Sequence, residues 1–125
     1  MTTRTASCAC GQLKAVCSGE PRSVSLCHCS QCQKRTGSAF GIAVFFARER
    51  VTMEGRFASH ARKSDSGHGV TFHFCPHCGS SVFWEPARKR DEIAVAYGGF
   101  ADADFPPPSQ EVYIELRHPW VRNAI

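Results

Sequence analysis

Several features that would assign a function quickly are missing from this sequence. No apolar stretch is long enough to cross a bilayer: the longest, Phe40 to Ala47, falls far short of the roughly 20 residues a spanning helix needs. The first residues, Met1 to Ser7, lack the apolar segment of an export signal. Charge of one sign does not dominate. Fifteen Lys and Arg against eleven Asp and Glu leave a net charge of +4, and the densest basic cluster, Arg88-Lys89-Arg90, runs directly into Asp91-Glu92. A dedicated nucleic-acid binder gathers its basic residues on one face or stripe, so the scattering argues against that class and leaves the cluster as a solvated turn. No phosphate-cradling glycine loop, Gly-x-Ser-x-Gly elbow or His-Glu-x-x-His pair occurs, and the acidic residues do not cluster as a general acid/base pair. The expectation left standing is a cytoplasmic protein with no membrane segment, in a compartment where thiols stay reduced.

With 125 residues, 42% of them hydrophobic, the chain suits one compact domain over 1–125 with a modest core that metal staples would help to hold. Short β-like runs dominate. Gln12 to Cys17 alternates, placing Leu13, Ala15 and Cys17 on one face. Further strands are predicted at Ser23–Cys27, Ala39–Ala47, Val51–Glu54, Phe57–Ala61, Val70–Phe74, Ser81–Trp84, Ile93–Tyr97 and Val112–Leu116. Turn signals separate most of them, including Gly55, Ser66-Gly67, Gly98-Gly99 and Pro106-Pro107-Pro108. Only Ser30 to Thr36 reads as a helix, with Ser30 as its cap and Gly37 ending it. Many short strands with frequent turns predict a mainly-β fold. Phe40, Phe45, Phe46, Phe72, Phe74 and Phe83 fit inward strand positions.

Against this background the eight cysteines stand out. Cys8-Ala9-Cys10 and Cys75-Pro76-His77-Cys78 are tight knuckles, each followed by glycine, which permits the left-handed backbone that turns two sulfurs toward one point. Two close pairs from distant segments are how a closed tetrahedral zinc site is commonly supplied, so Cys8, Cys10, Cys75 and Cys78 are expected to hold one structural ion. Four thiolates also suit iron; the spacing favours zinc. Cys27-His28-Cys29-Ser30-Gln31-Cys32 packs three thiols into six residues. Three protein ligands with an exchangeable fourth position describe a catalytic zinc site. Two other readings stay open for this group: a closed site completed by His28, or redox thiols without metal. In an extended segment His28 points away from its neighbours, against the first. Cys17, on the inward face with Leu13 and Ala15, reads as a small core hydrophobe. His73 and His77 flank the last knuckle and suit packing or surface roles better than hydrogen bonding to a sulfur.

In this order the motifs resemble the glutathione-dependent formaldehyde-activating enzyme family, which also includes centromere protein V. The matching stretches are Cys8-Ala-Cys-Gly-Gln12, Cys27-His-Cys-Ser-Gln-Cys-Gln-Lys-Arg-Thr-Gly-Ser-Ala-Phe40, Phe74-Cys-Pro-His-Cys-Gly-Ser80 and a Gly98/Asp102 loop leading to Val112 to Trp120. The resemblance covers almost the whole chain. It implies a β-tent fold of two packed antiparallel sheets with zinc at the knuckles and one short helix. It also implies structural zinc on Cys8, Cys10, Cys75 and Cys78, and catalytic zinc on Cys27, Cys29 and Cys32. The implied activity is that of a carbon–sulfur lyase, the S-(hydroxymethyl)glutathione synthase reaction between glutathione and formaldehyde. Lys34, Arg35 or the helix N-terminus are then candidate contacts for a glutathione carboxylate. The expected partner is a small molecule, glutathione or another thiol, and a homo-oligomer is compatible with the sequence. The competing class is a non-catalytic, zinc-stabilised module that binds protein or nucleic acid.

Overall fold

The structure, a computed structural model, describes residues 1–64, 66–122 and 125. Its strands are β1 (Thr3–Ser7), β2 (Lys14–Ser18), β3 (Ser23–Cys27), β4 (Gly41–Ala47), β5 (Val51–Glu54), β6 (Ala58–Lys63), β7 (Gly69–Phe74), β8 (Ser81–Pro86), β9 (Glu92–Ala96) and β10 (Gln110–Val112). One α-helix, α1, spans Ser30–Thr36. The strands form a three-stranded sheet ordered β1-β2-β5 and a seven-stranded sheet ordered β10-β3-β4-β9-β8-β7-β6. A mainly-β fold of two sheets is therefore observed. One pairing departs from the all-antiparallel expectation: β10 runs parallel to β3, with Glu111 opposite Leu26 and Val112 opposite Cys27. The reason is topological. The chain returns to the β3 edge through the long 101–109 connection, and Ser109 N donates to Val24 O to start that pairing.

Side-chain alternation explains how the sheets stack. On the central strand β4, Val44 and Phe46 face one way and Ala43 and Phe45 the other, so both faces are apolar. The first face joins Phe83, Ile93 and Val95 under Ala6, Ala15, Cys17 and Val51 from the small sheet and Leu13 just before β2, forming the main core. Burying a side chain such as Phe46 contributes about 2–3 kcal/mol. The opposite face of the large sheet carries a second cluster of Phe45, Val70, Phe72, Trp84 and Ala94. Four predicted inward phenylalanines, Phe45, Phe46, Phe72 and Phe83, are buried, while Phe40 and Phe74 are half-buried.

Three local readings change. Thr3–Ser7 forms a strand that its composition does not signal, because TRTAS carries one inward apolar residue, Ala6. The final strand is not Val112–Leu116. It ends at Val112, Tyr113 adopts φ 56°, and Ile114–Leu116 forms a 3-10 turn. The cap of α1 is Cys29 rather than Ser30: the Cys29 sulfur accepts a hydrogen bond from Cys32 N at 3.3 Å, so Ser30 becomes the first helical residue.

Candidate metal centres and the cleft beside them

The outer cysteines come from two loops of matching construction. In the first, Cys8 N donates to Leu13 O, Gly11 N donates to Cys8 O, and Leu13 N points at the Cys8 sulfur at 3.2 Å. In the second, Cys75 N donates to Ser80 O, Gly79 N donates to Cys75 O, and the amides of His77 and Cys78 approach the Cys75 sulfur at 3.3 and 3.4 Å. Gly11 and Gly79 sit at φ 85° and 83°, where a Cβ would strain the turn. Backbone amides converging on sulfur favour thiolate. All four sulfurs lie within 4.8 Å of one another. The distances Cys8–Cys10, 3.6 Å, and Cys10–Cys75, 3.7 Å, are far too long for disulfides. They match the edge of a tetrahedron with metal–sulfur bonds of about 2.3 Å, which is about 3.8 Å. The residues present thus fit a closed tetrahedral zinc site.

Two polar side chains finish this cluster. Gln12 donates from Nε2 to the Cys75 sulfur at 3.0 Å and to Arg56 O at 2.7 Å, and accepts from Arg56 N. Ser80 lies 3.3 Å from the Cys78 sulfur, and hydrogen bonds from Ser80, its side chain first, hold that thiol down to about 5. His77 is exposed, and His73 bonds to Ser59 Oγ and Glu85 Oε2. Both histidines keep the surface and packing roles expected of them.

The middle triplet is built differently, from one continuous segment. Cys27 ends β3, Cys29 caps α1 and Cys32 lies in its first turn. Their sulfurs also lie within 4.8 Å of one another, and among the described residues no fourth His, Cys, Asp or Glu ligand joins them. His28 is fully buried and turned away, with Nε2 2.9 Å from Glu111 Oε1. It does not close the site. Its backbone is clamped as well: His28 N donates to Val112 O, and Gln33 Nε2 donates to His28 O. Gln33 in turn meets His118 Nε2 at 2.8 Å through its amide oxygen. The C-terminal segment thereby fixes the loop that carries the three thiols. Cys32 is held down to about 6, foremost by its hydrogen bond with Cys27; burial opposes this, and Cys29 and the Arg35 guanidinium assist. The Cys27 thiol is pushed strongly upward by the same hydrogen bond and by burial. A donor set of three clustered thiols with an open side fits a thiophilic metal ion that keeps an exchangeable position.

The triplet lines a cleft of about 170 Å³ against the second apolar cluster, whose Phe45, Phe72 and Trp84 form one wall. That volume is small beside the roughly 300–1,000 Å³ of drug-sized ligand pockets, so the cleft is sized for one end of a ligand rather than for a whole drug-sized molecule. Arg35 reaches into it, with its guanidinium 4.1 Å from the Trp84 ring centre and 5.7 Å from that of Phe72. Its Nε is buried without a hydrogen-bond partner. Gly41 makes room for it, since a Cβ there would meet Arg35 Nη2 at 2.7 Å. Lys34 is exposed on α1 and does not line the cleft. Sequence reasoning missed the cleft wall, Gln12 as a sulfur donor and Glu111 as the partner of His28. Contacts between segments distant in sequence bring these together, and no local pattern signals them.

Among the described residues, no helix is long and apolar enough to cross a membrane. A crystal structure of a Rhodobacter sphaeroides protein is similar to this chain at 17% identity and a TM-score of 0.60, covering 76% of this chain and 85% of that one. That likeness concerns the fold. No curated protein matches. The sequence model described as glutathione-dependent formaldehyde-activating enzyme matches residues 3–116, taking in both outer knuckles and the triplet. With that match over nearly the whole chain and both thiol clusters assembled as described, the protein belongs to the glutathione-dependent formaldehyde-activating enzyme family.

Proposed function

We propose that this chain is a zinc-dependent carbon–sulfur lyase of the S-(hydroxymethyl)glutathione synthase type, working in the cytoplasm. It joins glutathione, or a similar small thiol, to formaldehyde or a related small aldehyde. The observation that carries this reading is the asymmetry of the triplet: Cys27, Cys29 and Cys32 converge at a cleft and lack a fourth protein ligand among the described residues. A zinc ion held there would supply a position for an external thiol and keep that thiol ionised near neutral pH.

The chain's own residues supply the rest. His28 and Gln33 hold the loop so that the three sulfurs face the cleft. Phe72 and Trp84 keep water from one side, which strengthens charge interactions within it. Arg35, against Cys32, offsets the negative charge of three thiolates. In the reaction the thiol sulfur bonds to the carbonyl carbon, the carbonyl π bond opens, and the oxygen takes up the proton that the thiol gave up. Nothing is oxidised or reduced. Orientation of thiol and aldehyde in one cleft lowers the entropic part of the barrier. The outer cluster stands away from this chemistry, in a structural role on Cys8, Cys10, Cys75 and Cys78.

Glutathione and formaldehyde combine without any enzyme, so the test must read acceleration over that background. Exchange NMR with labelled formaldehyde is expected to show faster adduct exchange with the native, zinc-loaded protein and background exchange with Cys29→Ser. Background exchange with the native protein at full zinc occupancy would sink the reading. The competing binding-module reading draws on one observation, the exposed Ile114, Leu116 and Trp120 of the C-terminal segment. A pull-down partner lost on Trp120→Ser, with no acceleration of exchange, would favour it.

A further inference from the structure

The cleft beside the triplet holds more positive charge than the metal centre can use. Three thiolates and one divalent ion carry a net charge of −1, and Arg35 lies against Cys32 to balance it. Three further cations line the same cleft: Arg62 near the end of β6, and Arg88 and Lys89 in the turn after β8. Among the described residues no Asp or Glu lines it, and no ion pair engages Arg62 or Arg88. Lys89 has one distant pairing, 3.8 Å from Glu92. Outside the cleft, Arg4, Arg22 and Arg48 each find a carboxylate within 3.2 Å, while Arg56 and Arg90 have no ion pair among the described residues; what sets the cleft apart is that its three cations gather at one opening with no described acidic residue lining it.

Two of these cations, Arg62 and Lys89, are also held in place, while Arg88 is exposed. Arg62 lies 4.6 Å from the centre of the Phe72 ring that Arg35 approaches at 5.7 Å, and Lys89 stands 4.0 Å from that of Phe45. Stacking on the aromatic wall restrains the side chains and keeps their heads at the opening, which reduces the ordering cost of meeting an anion. Arg35 and Arg62 share one ring, so positive charge extends from the thiols outward along the wall. A cleft lined by one sign of charge over low-dielectric walls concentrates ligands of the opposite sign.

We propose that Arg62, Arg88 and Lys89 form an anion-recognition rim that selects thiols bearing carboxylates and disfavours neutral ones. The rim rests on the proposed thiol chemistry for its purpose, and it deepens that reading by naming what distinguishes an accepted thiol. Arg35 serves the thiolate cluster, and the ligand's carboxylates fall to the rim. Bidentate contact suits the two guanidiniums, and Lys89 adds a point charge.

The test uses the zinc-loaded protein and two probes without a free thiol, S-methylglutathione and its diethyl ester, with binding followed by calorimetry. S-methylglutathione is expected to bind at least about tenfold more tightly than the diester, and added salt to narrow the difference. Arg62→Gln/Arg88→Gln is expected to abolish the difference while zinc content and melting temperature hold. Lys14→Gln/Arg90→Gln removes the same charge outside the cleft and is expected to leave the difference intact. Equal binding of acid and ester, or discrimination that survives Arg62→Gln/Arg88→Gln, would overturn the rim. A second titration, glutathione into cobalt-substituted protein, separates the two readings. Rim-dependent binding with no change in the cobalt spectrum keeps the rim and removes the metal-bound thiol. A spectral change unaffected by esterification or by the rim variants keeps the thiol chemistry and overturns the rim.

Discussion

The two cysteine clusters use the same donor atom at similar spacing, yet they differ in how the chain reaches them. The outer cluster draws Cys8 and Cys10 from one end of the sequence and Cys75 and Cys78 from far along it, and its fourth position is filled by protein. Its sulfurs receive backbone amides and the side chains of Gln12 and Ser80. The middle cluster comes from one β-strand end and the first turn of a seven-residue helix, and it opens on a cleft. A site that joins distant segments closes a long loop and adds to folding stability. A site within one short segment closes almost no loop, so it adds little to folding stability by that route. On the proposed reading, the contrast teaches that the number and origin of ligands, rather than their type, would separate a staple from a reaction centre.

The contrast can be broken most forcefully at the staple. Cys75→Ser removes a fully buried ligand and leaves three thiols unsatisfied, and a loss of several kcal/mol is expected, enough to unfold a marginal domain. Circular dichroism and zinc analysis of the purified variant check it; a folded, fully zinc-loaded Cys75→Ser protein would refute a structural role.

A second, smaller effect should fall on the triplet alone. His28→Ala removes a fully buried ring and leaves Glu111 without its partner, and it is expected to cost about 2–4 kcal/mol in chemical denaturation. Metal affinity at the triplet should drop about 10- to 100-fold in a chelator competition, with the outer cluster unchanged. Equal weakening of both clusters would show that His28 supports the fold generally. Gln12→Ala is the converse, expected to cost about 1–2 kcal/mol and to loosen the outer metal only.

Cys17 sharpens the comparison as the cysteine that belongs to neither cluster. Burial pushes its thiol up to about 12, so it stays protonated and unreactive at neutral pH. Cys17→Ala is expected to cost about 1 kcal/mol and to leave both metals in place. Mass spectrometry after brief alkylation of the native protein at pH 8 should find Cys17 unmodified, and rapid labelling there would contradict its core role.

The parts legible in the sequence are those written locally. The knuckles show because two cysteines and a glycine fall within a few residues, and Val51–Glu54 and Ser23–Cys27 match because alternation and turns bound them. The strand at Thr3–Ser7 was hidden because its pairing with β2, not its composition, makes it a strand. The apolar alternation of Val112 to Leu116 misled for a related reason: beyond Val112 no neighbouring strand continues the ladder among the described residues, and Ile114 and Leu116 turn out to solvent. At the site, the grouping of the cysteines was readable and their surroundings were not. Glu111 meets His28 across 83 residues, and Trp84 reaches Arg35 across a sheet.

Zinc stoichiometry in Cys32→Ser, read together with a glutathione titration, most directly tests the division between the two clusters. A fall from two zinc ions per chain to one, with the fold intact and the glutathione response gone, is the expected result. A single zinc ion per native chain, held as firmly after Cys32→Ser, would contradict it.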